Sequence, residues 1–185
     1  MIKPSKRRAG ETSVIGWREI ASLPALGLDA LRAKIDTGAR TSALHAVDLE
    51  AFDSDGVPKI GFHVPLPGRP RWERCVAPIV DYRQIKNTSG EKEPRYVVET
   101  TLVLGHRHWQ IEVSLANREK MEFDLLLGRT AIRGRRLLVN PSRSFLAGAP
   151  VIPDLGDRAL PEAGLIRTLE RGNAPVQDTA GLGDK

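Results

Sequence analysis

The residues best placed to do chemistry are Asp36, Thr37 and Gly38, set in the stretch Lys34-Ile35-Asp36-Thr37-Gly38-Ala39-Arg40-Thr41-Ser42-Ala43-Leu44. Leu31, Ala33 and Ile35 alternate on the approach. That pattern predicts a strand that delivers the Asp36 carboxylate into a turn, with Gly38 supplying the backbone freedom the turn needs. A second stretch, Asp124-Leu125-Leu126-Leu127-Gly128-Arg129-Thr130-Ala131-Ile132, reads as a short buried strand running through a glycine into a helical turn. Two carboxylates held close together cannot both ionise cheaply, so such a pair shares one proton. One member can then take a proton from water while the other donates to a carbonyl oxygen, which hydrolyses a peptide bond without a covalent intermediate. The plain alternative makes Asp36 a turn former or helix cap.

Taken together, the two stretches resemble a known family. Asp36-Thr37-Gly38-Ala39 with a downstream apolar-apolar-Gly128-Arg129 is similar to the retropepsin pattern, in which the second stretch completes a psi-shaped loop around the first. The flanking text matches as well: Ile15-Gly16-Trp17-Arg18-Glu19, the run from Lys34 through His45, and Asn117-Arg118-Glu119-Lys120-Met121. Residues 13–148 thus resemble the bacterial RimB-like family of retropepsin-like aspartic peptidases, which has also carried the label ATP-dependent zinc protease. The resemblance implies a mainly β fold: the closed barrel of a single aspartic-peptidase lobe with one short helix. It makes Asp36 the catalytic carboxylate, puts Thr37 in a hydroxyl network that locks two such loops together, and uses Gly38 for their close approach.

With 185 residues the chain can bury one good core, and it holds one Asp-Thr-Gly loop without an internal repeat. A second Asp36 must then come from a second copy, so a homodimer is expected. Relatives in the family are associated with ATP-grasp ligases that add glutamates to the C-terminus of a small-subunit ribosomal protein. The resemblance therefore implies a peptidase that trims glutamate-rich or polyglutamylated C-terminal extensions, functionally linked to such a ligase.

Two cations depart from the retropepsin pattern. Retropepsins usually place an acidic residue two positions after the Asp-Thr-Gly glycine, often paired with the arginine of Gly-Arg; here Arg40 stands there. Lys34 lies two residues before Asp36, which on a strand puts both side chains on one face. Lys34, Arg40, Arg118 and Arg129 are the expected substrate-binding residues, a basic wall that would hold acidic side chains. The competing expectation pairs these cations structurally with Glu19, Glu50, Glu99 or Asp124.

A zinc peptidase would show His-Glu-x-x-His on a helix and an ATPase a Gly-x4-Gly-Lys-Ser/Thr loop; the sequence has neither. No metal ligand and no cofactor is predicted. Of the four histidines, His106 and His108 fall in an expected exposed turn, His63 stands alone, and His45 reads as a hydrogen-bonded structural residue. Two other functions compete with the aspartic peptidase: a non-catalytic dimeric binding module of the same fold, and a metal-dependent peptidase. Nucleic-acid binding ranks well below both, because the aromatic content is 5% and no stacking motif accompanies the net charge of +5.

The elements that must position the site follow from pattern. Residues 1–11 are charged, with Lys3, Lys6, Arg7 and Arg8, and read as a mobile basic arm; residues 12–149 form the peptidase domain, and residues 150–185 a flexible tail with a weak helical patch at 160–169. Strands are expected from Val14 to Ile20, at 31–35, 44–52, 59–65, 72–80, 100–104, 109–115, 125–127 and 137–140. The polar stretch 82–93 centred on Asn87-Thr88-Ser89-Gly90 leads into a strand opening at Arg95. By resemblance it is the candidate flap, with the Trp72 region as competitor. Cys75 is the single cysteine, so no intrachain disulfide can form, and without an apolar leader or membrane span the expected compartment is the cytoplasm.

Overall fold

The computed structural model describes residues 12–66, 68, 72–86, 90–118 and 122–153. The arm expected at 1–11 and, of the tail expected at 150–185, everything after residue 153, including its helical patch, lie outside the described residues. The chain runs β1 (Ser13–Gly16), β2 (Arg18–Leu23), a 3-10 turn (Pro24–Leu26), β3 (Leu28–Asp36), β4 (Ser42–His45), β5 (Val47–Ser54) and β6 (Val57–Val64). It continues with β7 (Glu73–Lys86), β8 (Lys92–Leu104), β9 (Arg107–Ala116), β10 (Leu125–Gly128), α1 (Arg129–Ile132) and β11 (Leu137–Asn140).

Six strands close into a barrel in the order β2-β3-β10-β4-β9-β8, with β2 returning to pair with β8. With one short α-helix among the described residues, this is the mainly β, retropepsin-like architecture that the resemblance implied. The psi-shaped loop is explicit in the register. β10 runs parallel to β3, with Gly128 opposite Asp36, and antiparallel to β4, with Leu126 opposite Ala43. Alternation sorts the side chains of these strands. Ala33, Ile35, Leu44, Leu125, Leu127, Val98, Val113 and Leu115 enter the core cluster, while Lys34, Asp36, His45 and Arg95 belong to the opposite parity and share the outer face.

The long interval between Asp36 and Arg129 is filled by β5, β6 and β7, which extend the sheet outward from β8. β7 serves two partners: its first half pairs with β6 up to Pro78, and beyond a register shift between Ile79 and Asp81 its second half pairs with β8 out to Lys86 opposite Lys92. That second half is the expected polar hairpin, with the Tyr82 and Tyr96 rings tilted against each other at a centroid distance of 4.7 Å; residues 87–89 lie outside the described residues.

Three expectations need adjustment. The first strand divides at Trp17, because β1 leaves the barrel to pair in parallel with β11 while β2 stays. The strand at 44–52 divides at Ala46, where the chain passes from the barrel into the extension. The β8–β9 turn is shorter than four residues, since Arg107 already pairs with Leu104. Gly105 in that turn has φ +57, and a Cβ there would lie 2.3 Å from the Ala147 carbonyl, so both conformation and space require glycine.

The chain beyond β11 folds back along the start of the domain. The Trp17 N–H donates to the Arg143 carbonyl at 3.0 Å, and the Phe145 N–H donates to the Arg18 carbonyl at 2.9 Å. The Val151 N–H reaches the Gly105 carbonyl at 2.8 Å, so described backbone is tied down past residue 150, where the tail was expected to begin. Glu19 sits fully buried beneath this return and accepts the N–H groups of Gly16 at 2.5 Å, Leu146 at 2.9 Å and Ala147 at 3.2 Å. Hydrogen bonds to a charged acceptor are among the stronger ones, which is how a carboxylate can be buried there.

Candidate active site

Asp36 ends β3, and its carboxylate is fixed by its own loop. Oδ1 accepts the N–H groups of Gly38 and Ala39, both at 3.0 Å. No hydrogen bond among the described residues occupies Oδ2, so one oxygen is spent on position and the other is open to reaction. A Cβ at Gly38 would stand 3.2 Å from Oδ1, tight enough to disturb that grip. Asp36 is half-buried, whereas Thr37 and Gly38 are exposed at the loop tip. The Thr37 hydroxyl has no partner among the described residues of this chain, which leaves it available to a neighbour.

The second stretch holds the loop from behind. The Arg129 N–H donates to the Ala39 carbonyl at 2.9 Å, and the Arg40 carbonyl accepts both the Thr130 N–H at 3.2 Å and the Thr130 hydroxyl at 2.9 Å. The Gly128 N–H donates to Ser42 Oγ at 3.2 Å, and the Ser114 hydroxyl donates to the Ser42 carbonyl at 2.9 Å. Gly128 allows this approach: a Cβ there would be 2.7 Å from the Thr41 carbonyl carbon and oxygen. Ser42, Thr130 and Ser114 are supporting residues to which the sequence reading assigned no role, although Ser42 and Thr130 lie inside the two recognised stretches.

The four expected substrate-binding cations are distributed unequally. Lys34 lies on the outer face with Asp36, as strand parity required. The Arg40 and Arg129 side chains are exposed on the two sides of the psi junction. Arg118 is half-buried just past β9, with its N–H donating to His45 Nδ1 at 2.9 Å, so buried His45 is hydrogen-bonded, as expected of a structural histidine. Burial pushes the Arg118 guanidinium below its ordinary range, the nearby charge of Arg95 pushes the same way, and Asp36 opposes both. Arg118 and Arg95 are thus electrostatic neighbours, and Arg118 is also one of Asp36. Arg95 was not among the residues expected at the site.

The competing expectation, that acidic residues neutralise these cations, fails at Glu19 and Asp124. Glu19 is occupied by backbone N–H groups, and Asp124 accepts the Arg32 N–H at 2.9 Å and faces Arg32 Nε at 3.5 Å. Among the described residues, no ion pair involves Lys34, Arg40, Arg118 or Arg129. Of these four cations, Arg118 is the one with Asp36 as a charged neighbour among the described residues. No three His, Cys, Asp or Glu residues gather into a metal site among the described residues; His63 lies against Asp48 at 3.3 Å, and His106 and His108 are exposed at the β8–β9 turn.

Comparison with known proteins gives the same outline. Residues 14–150 match the profile of the RimB-like family, described as retropepsin-like aspartic endopeptidase RimB. A solved Legionella pneumophila protein of unknown function is 31% identical, with a TM-score of 0.63 over 74% of this chain and 99% of its own. Curated relatives include a "Probable alpha-L-glutamate ligase" of Shewanella pealeana, 42% identical over 137 residues, and one of Desulfotalea psychrophila, 41% identical over 145. Those matches cover 73% and 77% of this chain but only 30% and 31% of the relatives, so the chain spans under a third of their length. The family description names an aspartic endopeptidase and mentions neither zinc nor ATP, so the ATP-dependent zinc wording that came with the resemblance is unsupported. With the profile covering the barrel, the psi loop and Asp36, the chain belongs to the RimB-like family of retropepsin-like aspartic endopeptidases.

Proposed function

We propose that the protein is a homodimeric aspartic peptidase in which Asp36 from each of two chains forms the reacting pair, and that it trims glutamate-rich C-terminal extensions. The observation that carries this reading is the Asp36 carboxylate itself: Oδ1 is locked by two backbone N–H groups while Oδ2 is left open, at a loop tip where Thr37 and Gly38 are exposed to a partner. In the pair, one ionised carboxylate takes a proton from water as the water oxygen attacks the scissile carbonyl carbon. The other carboxyl gives its proton to the carbonyl oxygen. Collapse of the tetrahedral intermediate breaks the C–N bond as one of its hydroxyls returns a proton to the second carboxylate, and the departing amine takes the proton that water had surrendered.

The cations supply the substrate class. Lys34, Arg40, Arg118 and Arg129 lack acidic partners among the described residues, and substrate carboxylates would provide them. The relatives named as glutamate ligases contain a segment about as long as this domain and over 40% identical to it. That supports a functional tie between this unit and an enzyme that forms glutamate bonds, and the same glutamate chain is a fitting substrate for hydrolysis. The buried lone Cys75 suits a reducing compartment, and we place the reaction in the cytoplasm. The same likeness favours one other reading, a non-catalytic module that binds the glutamate chain.

The test is cleavage of a peptide ending in several glutamates by wild type and Asp36→Asn, each with and without a chelator. Cleavage that disappears in Asp36→Asn and ignores the chelator is expected. Cleavage that survives Asp36→Asn refutes the mechanism, and binding without cleavage by wild type transfers the site to the binding module.

A further inference from the structure

Arg95 stands on the hairpin strand β8 at the parity opposite the core, and Arg118, in the segment after β9, is an electrostatic neighbour of both Arg95 and Asp36. Each is anchored differently. Arg118 is fixed at its backbone by His45, on the strand that follows the Asp36 loop. Its Nε is buried without a hydrogen-bond partner among the described residues. A buried guanidinium nitrogen without an acceptor, next to a second cation, is an unfavourable arrangement that an incoming anion would relieve.

Arg95 has a partner, but a replaceable one. Its side chain is only 11% exposed, and both its Nε, at 2.5 Å, and its Nη2 bind the same oxygen, Oε1 of Glu93. Glu93 is two residues away on the same strand and 45% exposed. A pair between close neighbours with one partner in solvent contributes little stability, so giving it up costs little. The binding is also one-sided, since one carboxylate oxygen takes both donors where a free carboxylate could engage the guanidinium fork with two.

We propose that Arg95 and Arg118 form a carboxylate receptor beside Asp36, held in the free protein by Glu93 and taken over by a glutamate carboxylate of the substrate. Glu93 is then an internal stand-in for the ligand, and recognition is an exchange of one carboxylate for another. The inference rests on the proposed function for its substrate class and adds the residues that read it.

Binding rather than turnover tests the receptor, so its outcome is separable from that of the catalytic mechanism. In the full-length Asp36→Asn protein, calorimetry compares a peptide ending in four glutamates with one ending in four glutamines. Arg95→Gln and Arg118→Gln are each expected to weaken the glutamate peptide by at least about tenfold, the loss typical of one charged hydrogen-bonding partner, without changing the glutamine peptide. Glu93→Gln is expected to tighten the glutamate peptide severalfold; glutamine keeps the size of the side chain and an acceptor oxygen for Arg95, so the fold is retained. Equal losses for both peptides, or weaker glutamate binding in Glu93→Gln, overturn the receptor. Survival of cleavage in Asp36→Asn would refute the catalytic mechanism and leave these binding results standing.

Discussion

Gly128→Ala isolates the demand the psi loop makes on space. Gly128 has φ −77° and ψ 173°, a conformation open to any residue, so the substitution introduces no backbone strain of its own. The new methyl would lie 2.7 Å from the Thr41 carbonyl and 2.9 Å from the Arg40 oxygen. Ordinary contact begins near about 3.4 Å, so residues 40–41 must retreat by roughly 0.7 Å. That retreat strains the bonds from Thr130 to the Arg40 carbonyl and from the Gly128 N–H to Ser42, and it carries the Asp36 loop with it. Overpacking of this kind costs about 1–3 kcal/mol, or a fall of about 5 °C in Tm for a chain this size. A displacement approaching 1 Å at a reacting group costs on the order of 100-fold in rate, so kcat should fall by about 10- to 100-fold while the protein stays folded at 25 °C. Amide shifts of Gly38 and Ala39 report the loop directly and do not depend on a substrate. The control is Gly134→Ala, at φ +76° with nothing within 4 Å of the added Cβ: it should lose stability through strain and keep the rate. If Gly128→Ala keeps wild-type kcat and unshifted Gly38 and Ala39 amides, β10 does not position Asp36 by contact.

Two further outcomes are expected. Mixing wild type with a tenfold excess of Asp36→Asn, under conditions where subunits exchange, should lower cleavage per wild-type chain by about tenfold, because most partners then lack the second carboxylate; unchanged cleavage would show that one chain suffices. Burial, reinforced by the charge of Glu73, pushes the Cys75 thiol up to about 12 from an ordinary 9.0, so between those pH values the folded chain keeps a proton that the unfolded chain releases. Stability contributed there is complete below pH 9 and is lost toward pH 12, at no more than about 1.4 kcal/mol per pH unit; denaturant titrations of wild type and Cys75→Ala should diverge over that window, and parallel curves would refute the assignment.

What could be read in the sequence was local. The Asp36 turn and the Leu125–Gly128 strand each combine a strand pattern with a glycine that geometry requires, and both signals fit within about ten residues. The alternation through Trp109, Ile111, Val113 and Leu115 announced β9 because one face of that strand is core and the other is not. Lys34 could be placed beside Asp36 by parity alone. Features set by distant partners stayed hidden. The parallel pairing of β1 with β11 joins residues more than a hundred positions apart, and nothing in either strand names the other. Glu19 looked like a partner for a cation because its donors, the amides of Leu146 and Ala147, are supplied by every residue type alike. Arg95 went unnoticed because its nearness to Arg118 depends on how β8 and β9 lie in the closed barrel.

The buried Glu19 carboxylate also sets an order of events during synthesis. It is made early, yet an N–H group it needs for burial belongs to Leu146, 127 residues later. At about 5–20 residues per second, roughly 6–25 seconds pass between the two on the ribosome. Until then Glu19 must keep its water, and β2, on which it sits, cannot settle between β3 and β8. β3 carries Asp36 at its end, and its other neighbour, β10, is also made late. The Asp36 loop therefore leaves the ribosome well before the strand that braces it, and the candidate site is assembled only when the domain is nearly complete.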